Sequence, residues 1–156
     1  MAKKFWSDDV VDLLKVRDGF RLADVEPSAT PGTKRDKAAG EEELARATPE
    51  LRELQEKLYA QSRVDAKDHD RLLVVLQAMD AAGKGGAIKR IVKKLDPREY
   101  EIHSIGAPER YELRRPYLWR FWTRLNDGGK ITIFDRTWYG RVLVERVEGF
   151  ASVVEW

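Results

Sequence analysis

The chain has 156 residues, 42% of them hydrophobic, with 29 Lys plus Arg against 27 Asp plus Glu, a net charge of +2 and no cysteine. That is the length of one domain with material for a core, and the missing cysteine excludes a disulfide scaffold, a cysteine-ligated zinc and a thiol nucleophile. No stretch approaches the roughly 20 apolar residues of a membrane span, and Met1–Val10 lacks the apolar run of a secretory leader, so the sequence predicts a soluble, cytoplasmic protein.

In chain order, Trp6–Val16 mixes apolar and charged residues, as a short helix or an arm would. Glu26–Gly40 holds Pro27, Pro31, Gly32 and Gly40 among polar residues and reads as a linker. Residues 1–40 are therefore assigned to an N-terminal arm and linker, and 41–156 to the main domain. Within Glu41–Ala66, Leu44, Leu51, Leu54, Leu58 and Tyr59 form a helical stripe. Thr48-Pro49 matches an N-cap followed by proline at the first helical position, which predicts that a helix restarts there. Leu72–Leu76 is a continuous apolar run, the pattern of a strand buried on both faces. After a turn at Gly83–Gly86, Ile88, Ile91, Val92 and Leu95 fall on one helical face. Tyr100–Ile105 is a second strand. Leu118, Phe121, Trp122 and Leu125 mark another helix starting near Pro116, with Trp119 and Trp122 read as core-packing residues. Asn126–Lys130 is a turn, Ile131–Phe134 a third strand and Arg141–Glu148 a last helix. This alternation predicts an α/β fold, a parallel sheet with helices packed on it.

Chemistry concentrates where the first strand meets the helix after it, in Gln77-Ala78-Met79-Asp80-Ala81-Ala82-Gly83-Lys84-Gly85-Gly86. Glycines let successive N–H groups turn inward, the helix N-terminus adds partial positive charge, and Lys84 can reach phosphate oxygens. Ala82, Gly83, Gly85 and Gly86 are thus candidate phosphate-binding positions. The loop departs twice from the general phosphate-loop pattern: Ala78 replaces its first glycine, and Gly85 its magnesium-binding hydroxyl. A magnesium ion on the phosphates would then rely on carboxylates. Asp80 lies in the loop, and Asp135 follows the third apolar strand. The alternatives are a plain glycine turn, a turn-forming Asp80 and a strand-end cap at Asp135.

Directly after Asp135 come Arg136, Thr137, Trp138, Tyr139, Gly140 and Arg141. Ligands of open parallel sheets bind at the carboxyl ends of strands, so Arg136 and Arg141 are candidates to clamp phosphates. Alternatively, Trp138 and Tyr139 fill the core and the arginines pair with Glu145 and Glu148. Lys84–Arg124 carries eleven Lys and Arg against five Asp and Glu. Lys89, Arg90, Lys93 and Lys94 lie opposite the apolar stripe of their helix, and Arg110, Arg114, Arg115, Arg120 and Arg124 follow. So much local positive charge suits a polyanion, although a solvated helix face gives the same pattern. His69 and His103 show no metal-ligand spacing and read as strand-edge residues.

Leu72–Gly86 with Met-Asp-Ala-Ala-Gly-Lys-Gly-Gly, and Phe134–Phe150 with Asp-Arg-Thr-Trp-Tyr-Gly-Arg and Val-Glu-Arg-Val-Glu-Gly-Phe, together resemble the polyphosphate kinase type 2 family. Tyr117-Leu118-Trp119-Arg120 resembles a family segment between them, and the likeness covers about Glu50–Ser152. The resemblance implies a P-loop kinase-like, three-layer α/β/α fold around a parallel sheet, magnesium (Mg2+), inorganic polyphosphate as donor and a nucleoside mono- or diphosphate as acceptor. It implies that Asp80 and Asp135 hold the metal, that Lys84 and Arg136 contact phosphates, and that Arg141, Glu145 and Arg146 line the site; Lys89 joins the phosphate-binding group through its basic helix. Trp-Tyr-Gly-Arg is similar to members that phosphorylate AMP. Family members are longer, so their lid helices, further arginines and last strands are expected to be missing from this chain. A homo-oligomer acting without nucleic acid or membrane is the accompanying expectation. Two rivals stand beside it: a kinase using ATP on nucleotides or small molecules, and a non-catalytic fragment that binds polyphosphate or oligomerises.

Overall fold

The computed structural model describes residues 5–7, 9–33, 36–65, 69–79 and 81–153. The chain divides into two compact units, Met1–Thr48 and Pro49–Trp156. The first carries helix α1 (Val10–Leu14) and a 3-10 turn, Leu22–Asp24. In it, Gly32 adopts φ +80° beside the Val10 side chain.

Helix α2 runs unbroken over Lys37–Val64 with Pro49 inside it. The predicted linker therefore ends before Lys37, and the predicted restart at Thr48-Pro49 does not occur. Thr48 is no cap: its hydroxyl donates back to the Leu44 carbonyl at 2.7 Å, a bond available only to a residue already in the helix.

In the second unit, β1 (Leu72–Leu76), β2 (Tyr100–Ser104) and β3 (Ile131–Asp135) form a parallel sheet in the order β1-β3-β2. Leu76, Asp135 and Ser104 stand in register at its carboxyl end. Side chains alternate across a strand, and the core divides accordingly. Ile131 and Ile133 pack with Ile88 and Leu95, supported by Leu51 and Leu58 of α2. On the other face, Phe134 packs with Ile105 and Phe121, supported by Leu73 and Trp138. Helix α3 (Lys84–Val92) supplies Ile88, and helix α4 (Trp119–Trp122) supplies Phe121. The architecture is thus the expected three-layer α/β/α.

Burial on both faces belongs to β3, whose Ile131–Phe134 are all buried. In β1 Leu72 is exposed and the rest only half-buried; among the described residues β1 pairs with β3 alone. The predicted helix from Leu118 to Leu125 is a single α-turn. Beyond it, Arg124 and Leu125 donate to Phe121 and Trp122 three residues back, a tighter winding that leaves Trp122 exposed rather than in the core. The last predicted helix is a π-turn at Arg141–Glu145, where Arg146 N–H reaches back to Arg141 O at 2.9 Å. The chain leaves it through Gly149 at φ +71°. His69 lies outside the strands and joins the Asp65 and Asp127 carbonyls, at 3.0 and 2.7 Å. Among the described residues, no helix is long and apolar enough to cross a membrane.

Candidate functional site

The turn after β1 twists through two left-handed residues, Ala81 at φ +63° and Gly83 at φ +90°. Left-handed backbone beside right-handed helix is how successive N–H groups come to face one concavity. Ala87 N–H bonds Gly83 O at 3.0 Å, closing the first turn of α3; the preceding N–H groups are the ones a helix cannot satisfy itself. A side chain at Gly85 or Gly86 would meet open space. Lys84 folds back over the turn, its Nζ donating to Ala78 O at 2.7 Å and Met79 O at 3.0 Å.

Across from this turn stands the end of β3. Among the described residues, Asp135 Oδ1 is buried without a hydrogen-bond partner, an expensive state for a carboxylate oxygen. Arg136 follows at φ +68°. Ala81, Ala82, Gly83, Lys84, Gly85, Asp135 and Arg136 line one cleft of about 310 Å³. An orphaned carboxylate oxygen on a residue that shares its cleft with the glycine turn and Lys84 fits a cation shared with a polyanion. Asp80 lies outside the described residues. Among the described residues no group of three or more His, Asp or Glu could hold a metal by itself.

The second cavity, of about 690 Å³, opens beside the first and shares Arg136 with it. The ends of all three strands supply its walls: Gln77–Met79 after β1, Ile105–Pro108 after β2 and Arg136–Trp138 after β3, with Tyr117, Phe121, Val144 and Phe150 added. Arg141 and Glu145 lie here, paired at 2.9 Å, so Arg141 pairs as the alternative had it. The Arg141 guanidinium also sits 5.7 Å from the Tyr117 ring centre. Trp138 packs into the core, whereas Tyr139 is half exposed. Gly86, Lys89 and Arg146 line neither cavity.

Arg120 and Arg124 do not belong to an exposed polyanion surface. Glu112, 4% exposed, draws both inward: Arg124 Nη2 donates to Oε1 at 2.8 Å, and Arg120 Nε lies 3.4 Å from Oε2. Arg120 also donates to Gly106 O at 2.9 Å, tying α4 to the loop after β2. Burial pushes the Glu112 carboxyl up, but the Glu109 N–H and the Arg124 and Arg120 guanidiniums outweigh it and hold it below the usual glutamate value. Burial likewise works against the Arg120 charge, yet arginine stays protonated in proteins, so the group is ionic.

Sequence reasoning assigned no role to Gln77, Thr137, Ile105 or Phe121. Gln77 carried a signal, a polar residue one step beyond a strand's carboxyl end. The aromatic and aliphatic walls carried none, since the same residues also read as core.

Comparison with known proteins identifies the family. The family model for polyphosphate kinase 2 matches residues 34–156. A polyphosphate:AMP phosphotransferase of Acinetobacter johnsonii is 75% identical over 89 residues, 57% of this chain and 18% of that protein. An AMP/ADP-polyphosphate phosphotransferase of Meiothermus ruber is 37% identical over 137 residues, 88% of this chain and 49% of that one. The crystal structure of polyphosphate kinase 2 from Arthrobacter aurescens superposes with a TM-score of 0.88 at 38% identity, covering 99% of this chain and 54% of that chain. The chain thus spans between 18% and 54% of the length of these relatives. With the glycine turn, the strand-end Asp-Arg pair and the sheet all inside the matched region, the chain belongs to the polyphosphate kinase 2 family.

Proposed function

We propose that the protein carrying this chain transfers a phosphoryl group from inorganic polyphosphate to a nucleoside mono- or diphosphate, with magnesium. One observation carries the reading: Lys84, Asp135 and Arg136 share a cleft that continues past Arg136 into a larger, mainly apolar cavity. The cleft suits a phosphate chain. The cavity, walled by Phe121, Tyr117 and Ile105, suits the flat apolar body of a nucleobase. The relatives' names support donor and acceptor class, and AMP is the acceptor placed first, since the relative at 75% identity is named for it.

Phosphoryl transfer needs positioning and charge neutralisation more than covalent help from the protein. The amides from Ala82 to Gly86 and the start of α3 seat phosphate oxygens. Lys84 exchanges its carbonyl partners for those oxygens, and Arg136 stabilises charge on the group in flight. Asp135, with Asp80 as second carboxylate, would hold the magnesium ion, which supplies charge neutralisation along the phosphates. Asp80 is also our candidate to align or deprotonate the acceptor. We extend the reading to a cytoplasmic homo-oligomer that acts without nucleic acid or membrane, which sedimentation and cell fractionation would test.

The decisive assay supplies polyphosphate with AMP or ADP, and separately ATP with a panel of acceptors, to the full-length protein. Product only from polyphosphate is expected; product only from ATP would make it an ordinary kinase. Lys84→Ala should lower turnover by about 100-fold or more with an unchanged circular dichroism spectrum. Near-normal turnover in that variant would overturn the assignment of the loop.

A further inference from the structure

We infer that Gln77 is a positioning residue for Arg136, acting through the backbone of Thr137. The inference rests on the reading above only for what Arg136 does to phosphate. Arg136 is a non-glycine residue in left-handed conformation, at φ +68°. Such a residue persists where its surroundings over-determine it. Here two consecutive N–H groups are fixed to the end of β1. Arg136 N–H bonds Leu76 O at 2.9 Å, and Thr137 N–H bonds Gln77 Oε1 at 3.0 Å. The first bond continues the sheet; the second depends wholly on a side chain.

The orientation of that side chain follows from chemistry. A backbone N–H can only donate, so the oxygen of the Gln77 amide must face it. The same oxygen accepts the Thr137 hydroxyl at 3.3 Å, and that hydroxyl accepts the Tyr139 N–H at 3.2 Å. Thr137 is 4% exposed, so without Gln77 its N–H has no ready substitute partner. The clasp thus fixes the peptide that joins Arg136 to Thr137, and with it the direction in which the Arg136 side chain leaves the backbone, at the wall common to the two cavities. With the clasp removed, Arg136 is free to relax into an ordinary extended conformation and withdraw its guanidinium.

Gln77 also borders the larger cavity, so a direct ligand contact is the competing account, and a double-mutant cycle separates the two. Binding of inorganic tripolyphosphate would be measured by calorimetry on the full-length protein, its Gln77→Met and Arg136→Ala variants and the double variant. Methionine keeps the shape and removes the acceptor. Gln77→Met is expected to weaken binding about tenfold, within the range of coupled neighbours, and to add nothing once Arg136 is alanine. Steady-state assays at saturating polyphosphate should show kcat falling while KM for the nucleotide stays within about threefold, because the displaced guanidinium contacts phosphate and not the nucleobase. Additive effects in the cycle, or unchanged binding by Gln77→Met, would overturn the inference. Should Gln77→Met fail to fold, Thr137→Val removes the hydroxyl leg alone. Its smaller loss must likewise vanish beside Arg136→Ala, and a loss that persists overturns the inference. A non-additive cycle in a protein without nucleotide product would leave the clasp standing and remove the proposed reaction. An additive cycle in an active enzyme would do the reverse.

Discussion

Glu112 shows how much a single residue can hide in a sequence. Its partners Arg120 and Arg124 look like members of a basic surface until the fold turns them inward onto one carboxylate. Removing one partner of a buried ion pair leaves the others uncompensated, so Glu112→Ala should destabilise the domain by about 3–5 kcal/mol, read as a lowered denaturation midpoint. The pH dependence has a definite sign. The folded value of Glu112 lies below its unfolded value of about 4.3, so between the two the unfolded chain binds the extra proton. Stability from this group is fully present above about pH 4.3 and is lost as the pH falls through the folded value. Glu112→Gln should therefore flatten the acid limb of Tm against pH; an unchanged limb would mean that the carboxylate is not held as described. Lys84, Asp135 and Arg136 were legible because their place follows from local order, strand then turn then helix. Gln77 was not, because its partner is 60 residues away and only the pairing of β1 with β3 brings them together.

At the scale of elements, the strands were readable as apolar runs bounded by turn residues, and all three lie within a residue of where the sequence puts them. Helix limits were harder. Proline signals a start only when its neighbour caps, and Thr48 instead bonds backwards within α2. The stripe at Leu118, Phe121, Trp122 and Leu125 assumed an α-helical pitch that the chain abandons after one turn. The turn before β3 was read correctly and has a sharper requirement than its composition suggests. Gly128 stands at φ +115°, and a Cβ there would collide with the His69 ring that holds the Asp127 carbonyl. Gly128→Ala should cost more than about 1 kcal/mol, and His69→Ala in the same chain should recover the steric part of that loss. Equal losses in both backgrounds would place the whole effect in backbone conformation.

At the scale of the whole molecule, composition foretold a near-neutral protein with a basic middle, and the structure narrows which of those charges can act over a distance. Lys89 and Arg90 are exposed on α3 and Lys93 just past its end, whereas Arg120 and Arg124 are committed to Glu112. Polyphosphate affinity should fall with salt through release of condensed counterions, by analogy with nucleic acids. Replacing Lys89 and Lys93 by alanine should reduce that slope, measured as log Kd against log salt, while Glu112→Gln leaves it unchanged. The architecture was legible as a class but its strand order was not: an apolar run announces a strand, not its neighbours. That order bears on biosynthesis. Among the described residues, β1 and β2 pair with β3 and not with each other, so these two strands, once made, form no sheet between themselves. Their shared partner arrives only when Ile131–Asp135 has been translated, and assembly then inserts that later strand between two that have been waiting.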